Sequence, residues 1–99
     1  MTLESKFQAE LVKELKRMLP GCIVLKNDAN YLQGIPDLLV LFENKWAALE
    51  CKKSEYEARR PNQTFYVDKM DAMSFAAFIY PESKKEILDE LYAAFGVGR

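Results

Sequence analysis

Three charged residues stand where a core-building pattern has no use for them. Asp37 opens the apolar run 36–42 (PDLLVLF), and Glu50 and Lys52 interrupt the far end of run 46–52 (WAALECK). Both runs read as strands, in which residues two apart share a face. Glu50 and Lys52 therefore project together, while Leu49 and Cys51 point into the core. A two-residue turn at Glu43-Asn44 pairs Phe42 with Lys45 and, five steps further along, Asp37 with Glu50. The Cβ atoms of that pair would lie about 4.5–5.5 Å apart, whereas a one-residue slip sends Asp37 to the other face. Two carboxylates that close repel unless a cation lies between them. Mg²⁺ takes such a pair together with waters and phosphate oxygens. Lys52 beside them is suited to hold a nucleophilic water or to balance charge on a phosphate in flight. The chemistry expected is metal-assisted hydrolysis of a phosphodiester.

Composition narrows the field to that kind of site. The 99 residues include no histidine, which removes His bases, His nucleophiles and His-liganded metals. The formal net charge is −1, without the strongly basic balance of many nucleic-acid binders. Its distribution is uneven: residues 51–69 carry five basic side chains against three acidic ones. Cys22 and Cys51 are too few for a disulfide framework and match no metal spacing. With no leader pattern and no apolar run of about 20 residues, a reduced cytoplasmic setting is expected, a host's if the chain is phage-encoded.

The elements that must position these residues follow from periodicity. Thr2 can cap a first helix with the stripe Leu3, Phe7, Leu11, Leu15 and Met18, stopped at Pro20-Gly21. Cys22 to Lys26 reads as a strand, and Asn27 to Gly34 as a polar loop before the two runs above. Pro61 suits a first helical position, with Phe65, Tyr66, Met70 and Met73 as the buried face. A fourth strand over 74–80 follows. Ser83-Lys84-Lys85-Glu86 then reads as a capping box for a last helix burying Ile87, Leu88, Leu91 and Phe95. The order α-β-β-β-α-β-α predicts an α/β fold over 1–99, with a mixed four-stranded sheet flanked by helices.

Gly34-Ile35-Pro36-Asp37, twelve residues, then Glu50-Cys51-Lys52 resembles the PD-(D/E)XK nuclease superfamily. The Gly-x-Pro-Asp form looks most like the small VRR-NUC and Holliday-junction-resolvase-like members. That resemblance implies a restriction-endonuclease-like αβββαβ core. It also implies Mg²⁺ or Mn²⁺ on Asp37, Glu50 and the Cys51 backbone carbonyl, with Lys52 acting on the attacking water. In resolvase-like members a first-helix Glu joins the metal. Glu10 is the candidate here, with Glu14 and Glu4 as rival positions. A Gln on the helix after Glu-x-Lys matches Gln63, although Tyr66 follows at three residues rather than the four of the Gln-x-x-x-Tyr form. Lys53, Arg59 and Arg60 are candidate phosphate contacts, and Gln33 can face the site.

The expected activity is a Mg²⁺-dependent endodeoxyribonuclease, resolvase-like in favouring structured or branched DNA and acting as a homodimer. Two rivals stand beside it: a restriction- or repair-type nuclease on duplex or flap DNA, and a non-catalytic nucleic-acid-binding or protein-interaction domain of the same fold. Plainer readings also exist for the parts. Asp37 can satisfy loop N–H groups, Glu10 can sit on a solvated helix face, and Gln63 can cap its own helix. The aromatics Phe65, Tyr66, Phe75, Phe78 and Tyr80 read as core.

Overall fold

The structure is a computed structural model that describes residues 2–98. Helix α1 (Leu3–Met18) begins where the Thr2 hydroxyl oxygen accepts the Ser5 N–H at 3.0 Å, one of the first-turn amides that have no partner inside the helix. Strands β1 (Ile23–Lys26), β2 (Leu38–Phe42) and β3 (Lys45–Cys51) follow, then α2 (Pro61–Met73), β4 (Phe75–Ile79), a 3₁₀ turn (Pro81–Ser83) and α3 (Lys84–Ala94). The strands lie in one sheet in chain order. The first two pairings are antiparallel and β3–β4 is parallel. This is the mixed four-stranded sheet flanked by helices that the periodicity predicts.

The β2–β3 hairpin closes at Glu43-Asn44. Phe42 pairs with Lys45, and Leu38 pairs with Leu49 at the far end. Glu43 takes φ +56°, the positive sign that two-residue hairpin turns require at this position. Side chains then alternate between two cores. On one face Leu38, Val40, Leu49 and Ile79 pack beneath α1 and α3, against Leu11, Leu15, Leu88 and Leu91. On the other, Ala48, Ala76 and Phe78 pack beneath α2, against Val67 and Met70. Strand β3 is covered on both faces, so its second half is buried throughout, Glu50 included.

Several side chains depart from their expected places, each because of where a helix docks. Helix α2 packs on β3 and β4, so the residues that meet the sheet are Val67 and Met70. Phe65 and Met73, expected in the core, are 55% and 63% exposed. Phe65 instead meets the Tyr66 ring edge-on and lies under the Lys69 ammonium. On α1 the stripe slides by one turn: Leu3 is exposed and Leu19 is buried in its stead. The capping box at Ser83 does not form. Its hydroxyl folds back on Tyr80, accepting that residue's N–H and donating to its carbonyl. Tyr92, which the periodicity did not single out, is buried alongside Leu88 and Leu91.

The β1–β2 loop delivers Asp37 to the sheet. The Asn27 N–H donates to the Asp37 carbonyl and the Asn27 amide donates to the Pro36 carbonyl, both at 2.8 Å. Gly34 adopts φ +92°, and a Cβ there would stand 2.8 Å from the backbone and side chain of Asn62 on α2. The loop and α2 thus meet at a point that admits no side chain. Gly34→Ala adds left-handed backbone strain to a clash with backbone atoms. It should cost about 2–4 kcal/mol in urea unfolding. Stability equal to that of the parent would show that the loop does not rest on α2.

Candidate active site

Asp37, Glu50 and Lys52 converge at the ends of β2 and β3, in a cleft of about 380 Å³ that Glu4, Glu57, Arg60 and Gln63 also line. The hairpin register decides this. One step beyond the Leu38–Leu49 pair, the Asp37 carboxylate accepts the Cys51 N–H at 2.8 Å, which sets it beside Glu50. Lys52 is held in line with β3 because its N–H donates to the Ile79 carbonyl of β4 at 2.9 Å.

Glu50 and Lys52 are 4% and 3% exposed, a degree of burial that charges tolerate only when partnered. Gln63 supplies much of the partnership. Its amide N–H₂ donates to Glu50 Oε2 at 3.1 Å, and its carbonyl oxygen accepts Lys52 Nζ at 2.8 Å. The same oxygen accepts the Arg60 N–H at 3.0 Å at the start of α2, so Gln63 caps its helix and joins the site at once. Lys52 Nζ also donates to the Ala58 carbonyl at 3.0 Å and lies 3.6 Å from Glu57 and 3.9 Å from Glu50. Glu57 is tied to the Lys53 N–H by its other oxygen at 2.7 Å.

The carboxylates are set against their own ionisation. Burial, and then the charge of Asp37, push Glu50 up to about 8, with Lys52 pulling the other way. Asp37 is raised by burial too, opposed by the Cys51 N–H and by Lys52. Glu4 is raised by burial and then by Glu57 and Asp37. A cation among these groups would relieve all three. Among the described residues no three His, Cys, Asp or Glu side chains close a metal cage. The donor set is instead the sparse one that Mg²⁺ completes with waters and phosphate oxygens. The residues fit such an ion.

Not every residue expected at the site is there. Glu10 is turned away: it lines a neighbouring groove between α1, the β3–α2 loop and the start of α3, with Lys6, Lys53 and Lys84. Glu4, six residues earlier, lines the cleft in its place. Arg60 lines the cleft, whereas Arg59 lies over the Phe78 ring at 4.2 Å and lines a different groove. Gln33 is exposed in the β1–β2 loop and is not among the cleft residues. Glu57 went unrecognised in the sequence, and Asn27 read there only as part of a polar loop. Glu57 is one acid in a charged connection and Asn27 one amide in a polar loop, and neither sits at a telling spacing.

The chain superposes on a solved structure described as "VRR_NUC domain", with a TM-score of 0.75 over 93% of this chain and 100% of that one. The chain has a VRR-NUC fold. Sequence identity across that superposition is 20%, so the likeness is one of architecture. No family model matches the chain, and no curated protein matches it either. In this VRR-NUC fold the Asp-Glu-Lys group falls at the junction of the hairpin, the first turn of α1 and the start of α2.

The raised Glu50 pKa carries a sign for the metal-free protein. Between about 4.5 and about 8 the folded chain keeps a proton on Glu50 that the unfolded chain has lost. Stability should therefore fall as pH rises through that window and level off above it, by an amount of order a few kcal/mol. Melting temperatures in EDTA across the window measure this, and Glu50→Gln should flatten the slope. An unchanged slope in that variant would remove Glu50 as its source.

Proposed function

We propose that this chain is a metal-dependent nuclease that hydrolyses DNA phosphodiester bonds, structured or branched DNA being its preferred substrate. The observation that carries this reading is the meeting of Asp37, Glu50 and Lys52 in one cleft of a VRR-NUC fold. Asp37, Glu50 and the Cys51 backbone carbonyl would hold Mg²⁺ or Mn²⁺, with Glu4 beside them. When bound, the ion supplies a Lewis acid for a phosphoryl oxygen and a water of lowered pKa.

The chain's own groups supply the rest. An ammonium has three N–H donors, and Lys52 gives two of them to Ala58 and Gln63. The third is left for the attacking water or a phosphate oxygen, on a side chain buried enough to make that contact strong, with Glu57 and Glu50 farther off at 3.6 and 3.9 Å. Gln63 keeps Glu50 and Lys52 apart and oriented, so the lysine does not collapse onto the carboxylate that the metal needs. Arg60 at the cleft wall can take a neighbouring phosphate bidentately.

A panel of duplex, single-stranded, flap and four-way-junction DNA, with Mg²⁺ or Mn²⁺, tests the reading. Asp37→Ala, Glu50→Ala and Lys52→Ala should each slow cleavage by about a hundredfold or more, and EDTA should abolish it. Cleavage that survives in all three variants would remove the proposed site. Glu4→Gln should raise the Mg²⁺ concentration for half-maximal cleavage, and Glu10→Gln should leave that concentration where it was.

The reading extends to a homodimer. Its support is the open edge strand β1, where Ile23 and Leu25 are 56% and 44% exposed beside unpaired backbone groups. Light scattering should give twice the chain mass. A monomeric mass with and without DNA would overturn this part alone.

A further inference from the structure

The acidic cleft does not end at its own walls. Glu4 and Glu57 also bound a notch with Leu3 and Lys53, and Leu3 and Lys53 in turn bound the groove that Glu10 lines. The cleft, the notch and the groove thus lie side by side, sharing walls along the first turn of α1 and the β3–α2 loop. The charge changes sign along the way. The cleft holds four carboxylates against Lys52 and Arg60, whereas the neighbouring groove holds Lys6, Lys53 and Lys84 against Glu10.

Apolar Leu3, Phe7 and Pro81 line that groove between the charged groups. Among the described residues neither Lys6 nor Lys53 has an ion-pair partner, while Lys84 is paired with Glu14 at 2.9 Å. These lysines come from three separate elements: α1, the β3–α2 loop and the start of α3. A solvated helix face would not gather them. An apolar lining between ammonium groups matches a sugar–phosphate backbone, whose deoxyribose rings rest on carbon while the phosphates meet the charged groups.

We infer that this groove is the track for the DNA strand flanking the cleft, with Lys6 and Lys53 contacting backbone phosphates and the Glu14-paired Lys84 adding positive charge to its wall. The inference rests on the nuclease reading for its choice of occupant, but it concerns binding alone. Phosphate contacts of this kind carry no sequence information and register as salt dependence.

Binding of labelled duplex and four-way-junction DNA to the full chain, in EDTA across a salt series, reads it without cleavage. Lys6→Gln/Lys53→Gln should weaken binding about tenfold and lower the slope of log K against log salt by about 0.9 per lysine. Lys45→Gln/Lys69→Gln removes the same charge elsewhere and should change both far less. Glu10→Gln should tighten binding about twofold, an effect that lost folding cannot imitate. Equal losses in the two lysine pairs, an unchanged slope, or binding of neither DNA by the parent chain would each overturn the track. Groove-dependent binding without cleavage in Mg²⁺ would uphold it and remove the nuclease reading. Cleavage with an unchanged slope in Lys6→Gln/Lys53→Gln would do the reverse.

Discussion

Because side chains in a strand alternate between faces, one residue of slip in the β2–β3 pairing would turn Asp37 away from Glu50. The hairpin is held against that slip at both ends. Glu43 accepts a positive φ to close a two-residue turn, and the Asp37 carboxylate takes the Cys51 N–H where the ladder runs out. The apolar alternation of Leu38 and Val40 toward α1, and of Ala48 toward α2, adds the burial that makes any other register costly. Lys52, Gln63 and Glu57 are all placed relative to this pairing.

That register puts charge where a β-sheet would otherwise bury hydrocarbon. Glu50 lies under α2 in a strand covered on both faces, Lys52 just past the end of that strand, and their direct separation of 3.9 Å is too long for a hydrogen bond. A neutral amide mediates between them, which satisfies both without neutralising either by contact. Burial of the carboxylates still raises Glu50 to about 8, so the metal-free fold carries an electrostatic cost at neutral pH. The cation proposed above would relieve that cost. Stability and proposed function pull in opposite directions at the same three residues.

Around this centre the surface is divided by charge. Carboxylates gather where strand ends, the first turn of α1 and the start of α2 meet, and lysines gather a few residues away in the adjoining groove. The net charge of −1 averages over the two and describes neither. An acidic pocket beside a basic groove is the polarity that the proposed metal-assisted phosphodiester reaction would need.

The sequence by itself determined the hairpin and therefore the core of the site. Register depends on a turn of fixed length and on a period of two, both local, so the meeting of Asp37, Glu50 and Lys52 was legible before any packing was known. The element order was legible for the same reason, as each helix and strand announces its own periodicity. Tertiary structure decided what depends on docking. Which glutamate of α1 enters the cleft turns on the height and the rotation at which the helix lies against the sheet, since residues six apart also differ by about 120° around its axis. Glu4 and Glu10 differ by about 9 Å along its axis, and nothing in the spacing chooses between them. Phe65 was legible as apolar but not as exposed, since only the extent of α2's cover over β3 and β4 settles that. The lysine groove lies furthest from the sequence. Lys6, Lys53 and Lys84 are neighbours only because three elements end at one place, and long-range packing alone brings such ends together.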